Sequence, residues 1–295
     1  MAMKKKMLIT GAAGFLGYHL VFLLNEYFEI AGTFHKKYAS AVPTEFFKTD
    51  INDYRNFKNC IGRFKPDYIV HSAASADVDW CERNSTEAMK INADGTRNVA
   101  EACAKFDIRM IHISTDMVFD GKKGDYIETD TVNPINVYGK SKLTAEETVK
   151  FFSNGSVIFR VALLYGPSSP NKKGYIFSTM EKIRNGEKVK FFTDQIRTPL
   201  FTADVAQAIN LCIKKDIPGG IYHLSGKDKI TRYEFGMLMQ KVYGFDKELI
   251  IPSVMRDIPT MAPRPKDVSL LHKKAENVFG FYPTPIEEAL KSILI

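Results

Sequence analysis

The chain of 295 residues is 45% hydrophobic and 25% charged, an ordinary globular composition that excludes a disordered tail, a fibrous repeat or a mini-protein without a core. Lys and Arg number 41 against 34 Asp and Glu, and the net charge of +7 is spread along the chain instead of gathered in one tract. A weak preference for anionic small molecules is therefore expected, and nucleic acid is not the default partner.

In chain order, Lys4, Lys5 and Lys6 precede an apolar run over 7–24 that imitates a secretory signal. Gly11, Gly14 and Gly17 punctuate that run and no small-residue cleavage site follows, so it reads as part of the fold. No other stretch approaches the ~20 apolar residues of a membrane helix, so no membrane partner is expected. Short runs rich in Ile, Val and Phe predict strands at 7–10, 29–33, 45–48, 68–72, 109–114 and 156–161, separated by amphipathic helices near 15–27, 54–64, 86–106 and 137–152. Such alternation makes βαβ units and a Rossmann-type, doubly wound parallel sheet, whose ligands bind at the carboxyl ends of the strands. After Gly166 prolines divide shorter elements, which predicts a smaller C-terminal α/β domain at 166–295 beside the nucleotide-binding domain at 1–165. A helix over 202–213 and a strand over 220–224 are expected to rejoin the first sheet. Cys60, Cys81, Cys103 and Cys212 form no CxxC or Cys/His cluster, which predicts reduced thiols in the cytoplasm and no metal centre.

The segment Thr10-Gly11-Ala12-Ala13-Gly14-Phe15-Leu16-Gly17 follows a predicted strand and opens a helix, the setting in which a glycine motif binds a dinucleotide pyrophosphate. Gly11 permits the tight turn, Gly14 the approach of the phosphates and Gly17 close packing, while free N–H groups at the helix start face the anion. Candidate cofactor contacts here are Gly11, Ala13, Gly14, Phe15, Leu16 and Gly17. At the end of the second strand an acidic residue would bond the ribose 2′-hydroxyl of NAD, and a basic one would accept the 2′-phosphate of NADP. The residues are Thr33-Phe34-His35-Lys36-Lys37, without a carboxylate, which favours NADP(H) over NAD(H) through His35 and Lys36. Asp50 and Ile51 after the third strand are expected to border the adenine, and Ala73 and Ala74 after the fourth to let the backbone pass the ribose.

Tyr138 and Lys142 stand four residues apart on one face of a predicted helix. A nearby ammonium would lower the phenol pKa from about 10, making Tyr138 a general acid for a ketone under reduction, while Lys142 also holds the nicotinamide ribose. At the end of the fifth strand Thr115 is the candidate donor to the same carbonyl oxygen. Ser114 is the neighbouring alternative, and alternation along a strand lets only one of the two face the substrate. Alone, the Tyr-x-x-x-Lys spacing is common on helix surfaces; its weight comes from the glycine turn and the strand-end hydroxyls.

Together these motifs resemble the extended short-chain dehydrogenases/reductases over nearly the whole chain. Within them, Ser114-Thr115-Asp116-Met117-Val118-Phe119-Asp120-Gly121 and Arg264-Pro265-Lys266-Asp267-Val268-Ser269-Leu270 are similar to the dTDP-4-dehydrorhamnose reductase branch, which also holds the regulatory β subunit of methionine adenosyltransferase. The resemblance implies a catalytic set of Thr115, Tyr138 and Lys142, hydride delivery from a nicotinamide, and a nucleotide-sugar cleft in the C-terminal part. It places Tyr138, Lys142 and Ser114 beside the cofactor, and Met117 and Arg264 beside the substrate, Arg264 through a phosphate or else through a structural carboxylate. The chain departs from the branch at Met117, usually Tyr, at Trp80, often Lys, and at Leu163, Trp in the rhamnose enzyme, all expected to line the sugar site. Two other readings stay open: an NAD-dependent nucleotide-sugar epimerase, and a nucleotide-binding regulatory subunit with little catalysis. A homodimer is the expected assembly.

Overall fold

The computed structural model describes residues 4–36, 44–153, 155–170 and 172–293. Lys37 lies outside them. Apolar runs make the central sheet: β1 (Lys6–Thr10), β2 (Glu29–Phe34), β3 (Glu45–Lys48), β4 (Tyr68–His71), β5 (Arg109–Thr115), β6 (Val157–Val161) and β7 (Gly220–Leu224). All pair in parallel, in the order β7-β6-β5-β4-β1-β2-β3. Helices α1 (Phe15–Leu24), α2 (Tyr54–Phe64), α3 (Val78–Arg83), α4 (Gly95–Phe106), α5 (Val137–Phe152) and α6 (Thr202–Lys214) accompany it.

A sheet covered on both faces needs apolar side chains in both directions, and the strands supply them. Ile9, Val70, Ile111 and Val157 enter one cluster of the core, while their neighbours Leu8, Ile69, Met110 and Ile158 enter the other. Between β1 and β4 the order reverses, so the crossovers diverge and a crevice opens at the carboxyl ends, which is where the sequence motifs lie. Helix α1 is apolar almost all round because it is wedged between the sheet and α6.

Three elements differ from the sequence reading. Helix α1 stops at Leu24, not at 27, because the Tyr27 and Phe28 N–H groups both turn back to the Leu24 carbonyl. The helix α3 was not expected; Asp77 caps it by accepting from the Trp80 N–H at 2.9 Å. The single helix expected over 86–106 is instead a short helix Ser85–Met89, a π-helical turn Lys90–Asp94 and α4. The wider turn aims the buried side chain of Asn92 inward, where its amide holds the Ser75 backbone and the Ser141 hydroxyl, at distances of 2.8–3.0 Å.

Beyond β6 the chain builds a smaller unit in which helices Tyr175–Arg184 and Arg232–Tyr243 enclose Tyr165, Ile176, Met180, Phe235 and Met239. Between those two helices it returns to the large sheet through α6 and β7. Helices Lys273–Phe279 and Ile286–Ser292 follow.

Candidate active site

The glycine turn after β1 is shaped by contacts that a side chain would destroy. Gly11 adopts φ +70°, where L-residues are strained, and a Cβ there would lie 2.7 Å from the Ala73 Cα. A Cβ on Gly17 would collide with the Gly11 carbonyl, so Gly17 is what lets α1 close against the turn. Gly14 is the N-cap of α1 and brings no side chain to its free N–H groups, which leaves the positive end of the helix for an anion.

Two cavities flank this turn. One of about 320 Å³ is walled by Gly11, His35, Asp50, Ile51, Ala73 and Ala74, among others. The second, of about 430 Å³, is reached by Phe15, Leu16, Gly17, Thr115, Tyr138 and Lys142. Gly14, Ser72 and Ala74 belong to both walls, so the two form one crevice across the strand ends. Its length and its uncapped helix fit a dinucleotide, with His35 and Asp50 at one end and Tyr138 at the other. Ala13 lies half-buried in the turn and outside both walls.

His35 lines the smaller cavity, its Nε2 3.8 Å from Asp50 Oδ2, while Lys36 is exposed and outside the wall. Asp50 is fixed by accepting from the Asn52 N–H and amide at 2.9 and 3.1 Å, so the loop after the third strand brings the carboxylate that the second strand lacks.

At the other end, α5 presents Tyr138 from its first turn. Asn136 caps that helix by accepting from the Gly139 N–H at 2.8 Å, and its own amide donates to the Pro263 carbonyl at 3.1 Å. Thr115 closes β5 with its hydroxyl in the cavity, accepting from the Met117 N–H at 3.2 Å and donating to Asp116 at 3.1 Å. Ser114 also borders the cavity, but its hydroxyl points away and donates to Glu146 at 2.5 Å, so strand alternation selects Thr115.

Lys142 has a contact that the sequence did not predict: its Nζ lies 3.2 Å from His112 Nε2. Burial pushes the Tyr138 phenol above its ordinary value, with Thr115 pulling it down and Asp116 raising it. Burial likewise lowers Lys142 to about 8, against the raising influence of Glu146. A half-buried phenol and a buried ammonium beside a strand-end hydroxyl can hold and pass a proton at one carbonyl oxygen.

A family model, RmlD substrate binding domain, matches residues 5–295. The chain belongs to the RmlD family. It is 32% identical to dTDP-4-dehydrorhamnose reductase from Aggregatibacter actinomycetemcomitans, over 98% of both chains. It is 29% identical to methionine adenosyltransferase 2 subunit beta from Danio rerio, covering 98% of this chain and 90% of that one. Among solved structures, dTDP-4-dehydrorhamnose reductase from Bacillus anthracis in complex with NADP superposes with a TM-score of 0.87 at 29% identity, over 98% of each chain. An NAD(P)-dependent reductase scaffold is thus the setting of the Thr115, Tyr138 and Lys142 cluster.

In this RmlD family member the wall of the larger cavity mixes apolar side chains with the charged Asp116, Lys172, Lys173 and Arg197. Met117 and Leu163 line the larger cavity with Val78 and Tyr175, while Trp80, expected there, lies outside its wall. Arg264 also lies outside it, pairing with Asp79 at 2.9 Å; this is the structural alternative, because Asp79 simultaneously accepts from the Ala262 N–H and so ties the motif to α3.

Several residues escaped the sequence reading. Asp116 and Arg197 face the larger cavity, Asp116 raised to about 6 by burial and Arg197 lowered to about 10 by the same cause. Glu146 and Arg160 form a buried bidentate pair behind Ser114. Glu146 continues the stripe Tyr138, Lys142 at four-residue intervals, a spacing visible in the sequence. His112 shares the β5 face of Ser114, two residues away, and strand alternation alone pointed to it. Among the described residues no group of His, Cys, Asp and Glu is arranged to hold a metal ion.

Proposed function

We propose that this chain is an NADP(H)-dependent reductase of a nucleotide-activated keto-sugar, resembling dTDP-4-dehydrorhamnose reductase in its chemistry. The observation that carries the reading is the meeting of Thr115, Tyr138 and Lys142 in one cavity that continues into the uncapped glycine turn. The nicotinamide, when bound, supplies the hydride. The chain supplies the rest: α1 and the turn after β1 hold the diphosphate, Ala73 and Ala74 flank the ribose, and Ile51 borders the adenine. Thr115 donates to the carbonyl oxygen and fixes its direction. Tyr138 gives that oxygen its proton as the carbon accepts hydride, and the buried ammonium of Lys142 offsets the phenolate left behind. Met117, Val161 and Leu163 make part of the cavity wall apolar.

The smaller unit, 166–295 apart from the segments near 200–224 that rejoin the large sheet, is read as the substrate domain. The four cysteines are buried and free, no helix among the described residues is long and apolar enough to cross a membrane, and the proposed place of work is the cytoplasm, with a homodimer as the assembly. Oxidation of NADPH by a panel of nucleotide 4-keto-sugars tests the proposal. Net turnover is expected with at least one of them. Interconversion of nucleotide sugars with NAD and no net oxidation would favour an epimerase, and NADPH binding without turnover on any of the panel would favour a regulatory subunit.

A further inference from the structure

Behind the catalytic face of α5 lies a buried pair of histidines that the proposed chemistry does not use. His71 on β4 and His112 on β5 are register partners, both fully buried, with rings stacked 5.3 Å apart at an interplanar angle of 27°. His71 is satisfied at both nitrogens, by Thr10 at 2.7 Å and by Thr96 at 2.9 Å. His112 has its Nε2 3.2 Å from the Lys142 ammonium, while its Nδ1 has no partner.

This arrangement fixes the direction of the contact. An ammonium has donors and no acceptor, so when Lys142 is charged the imidazole must accept at Nε2 and keep its proton on Nδ1. That tautomer leaves a buried N–H without a partner, a cost that the contact with Lys142 offsets. Thr10 and Thr96 hold His71, and the π-helical turn that carries Asn92 also carries the carbonyl to which Thr96 donates, at 2.6 Å. The β4–β5 register therefore sets where Lys142 rests.

Resting on the reductase reading, we propose that His112 is a positioning residue, whose Nε2 holds the Lys142 ammonium on the sheet side of the cleft, keeps it protonated, and releases it towards Tyr138 when a ligand offers competing acceptors. The titratable groups around Lys142 are His112 and His71 from the sheet, and Tyr138 and Glu146 from its own helix. Burial depresses its proton affinity and Glu146 raises it. Both histidines are held neutral, chiefly by burial and then by the Lys142 charge, so neither competes with it as a cation. A hydrogen bond to the charged form favours that form, so removing the acceptor must make Lys142 easier to deprotonate.

The experiment follows the lysine itself. The full chain is labelled with carbon-13 at lysine Cε, and the Lys142 resonance, identified by its loss in K142M, is titrated by NMR in the ligand-free protein. H112F keeps a ring against His71 without the acceptor, H112L removes ring and acceptor, and H112Q restores an acceptor at similar reach. H112F and H112L should lower the proton affinity of Lys142 by roughly tenfold or more, the scale of one charge-assisted hydrogen bond, and H112Q should recover most of it. The high-pH limb of NADPH oxidation, where the ammonium is lost, should move in the same direction. A folded H112F or H112L whose Lys142 titrates as in the wild type overturns the proposal, as does an H112Q no different from them. The wild-type turnover screen tests the reductase reading separately: its failure beside a shifted Lys142 sinks that reading and leaves the His112 contact standing.

Discussion

The buried pair behind Ser114 gives the structure its most exacting test. Glu146 is 0% and Arg160 3% exposed at their side chains, and three hydrogen bonds of 2.7, 2.9 and 3.2 Å join them. The Ser114 hydroxyl adds a fourth at 2.5 Å, and the guanidinium also lies 5.2 Å from the Phe119 ring centroid. Replacing Glu146 by Leu leaves a guanidinium in the core with no anion and a hydroxyl with no acceptor. Breaking such a pair from one side costs about 3–5 kcal/mol, because the surviving charge keeps its desolvation penalty. For a chain of this size that corresponds to a melting temperature lower by roughly 6–20 °C, taking about 2–4 °C per kcal/mol. Removing both charges, in E146L/R160M, takes away the uncompensated cation and leaves mainly the Ser114 hydroxyl, a residual loss of about 1–3 kcal/mol. Urea unfolding of wild type, both single variants and the double variant, analysed as a double-mutant cycle at constant m, measures the coupling. An E146L loss below about 1 kcal/mol, or a double variant no more stable than E146L, would refute the argument that this pair is dry and mutually dependent.

Three further outcomes are expected. Tyr138→Phe keeps the ring and its packing, so NADPH binding by calorimetry should persist while single-turnover hydride transfer falls 10²–10⁴-fold, the usual scale of a lost general acid, and near-wild-type transfer would exclude Tyr138 as the donor. Removing the charges of His35 and Lys36 together should weaken NADPH more than NADH; since Asp50 stands beside His35, Asp50→Asn should by contrast favour NADPH, and a pair of unchanged affinity ratios would place the loop in solvent. Stability should fall as pH drops from about 6.5 towards 4.5, because His71 and His223, lowered to about 3 chiefly by burial, bind protons only when unfolded in that window. Each contributes a loss of roughly 2 kcal/mol by pH 5, which Asp116, raised to about 6 and protonated in the folded state, offsets in part; urea midpoints at pH 7 and pH 5 that coincide would contradict this balance.

What the sequence determined by itself is local or periodic. The strand and helix alternation, the glycine turn with its helix, and the Tyr138–Lys142 spacing all depend on residues within a few positions of each other, whose steric and hydrogen-bonding preferences act before any long-range contact forms. Thr115 over Ser114 was open in the sequence; it was decided only when Glu146, 32 residues from Ser114, took the Ser114 hydroxyl into the core. Tertiary packing likewise turned Lys142 to His112, brought Asp50 from the loop after β3 to His35 and sent Arg264 to Asp79. These are contacts between side chains far apart in the chain, and the energy that selects them is desolvation at a particular place in the core. A buried cation goes to the acceptor that the sheet register puts beside it, and no pattern along the chain specifies which one that is.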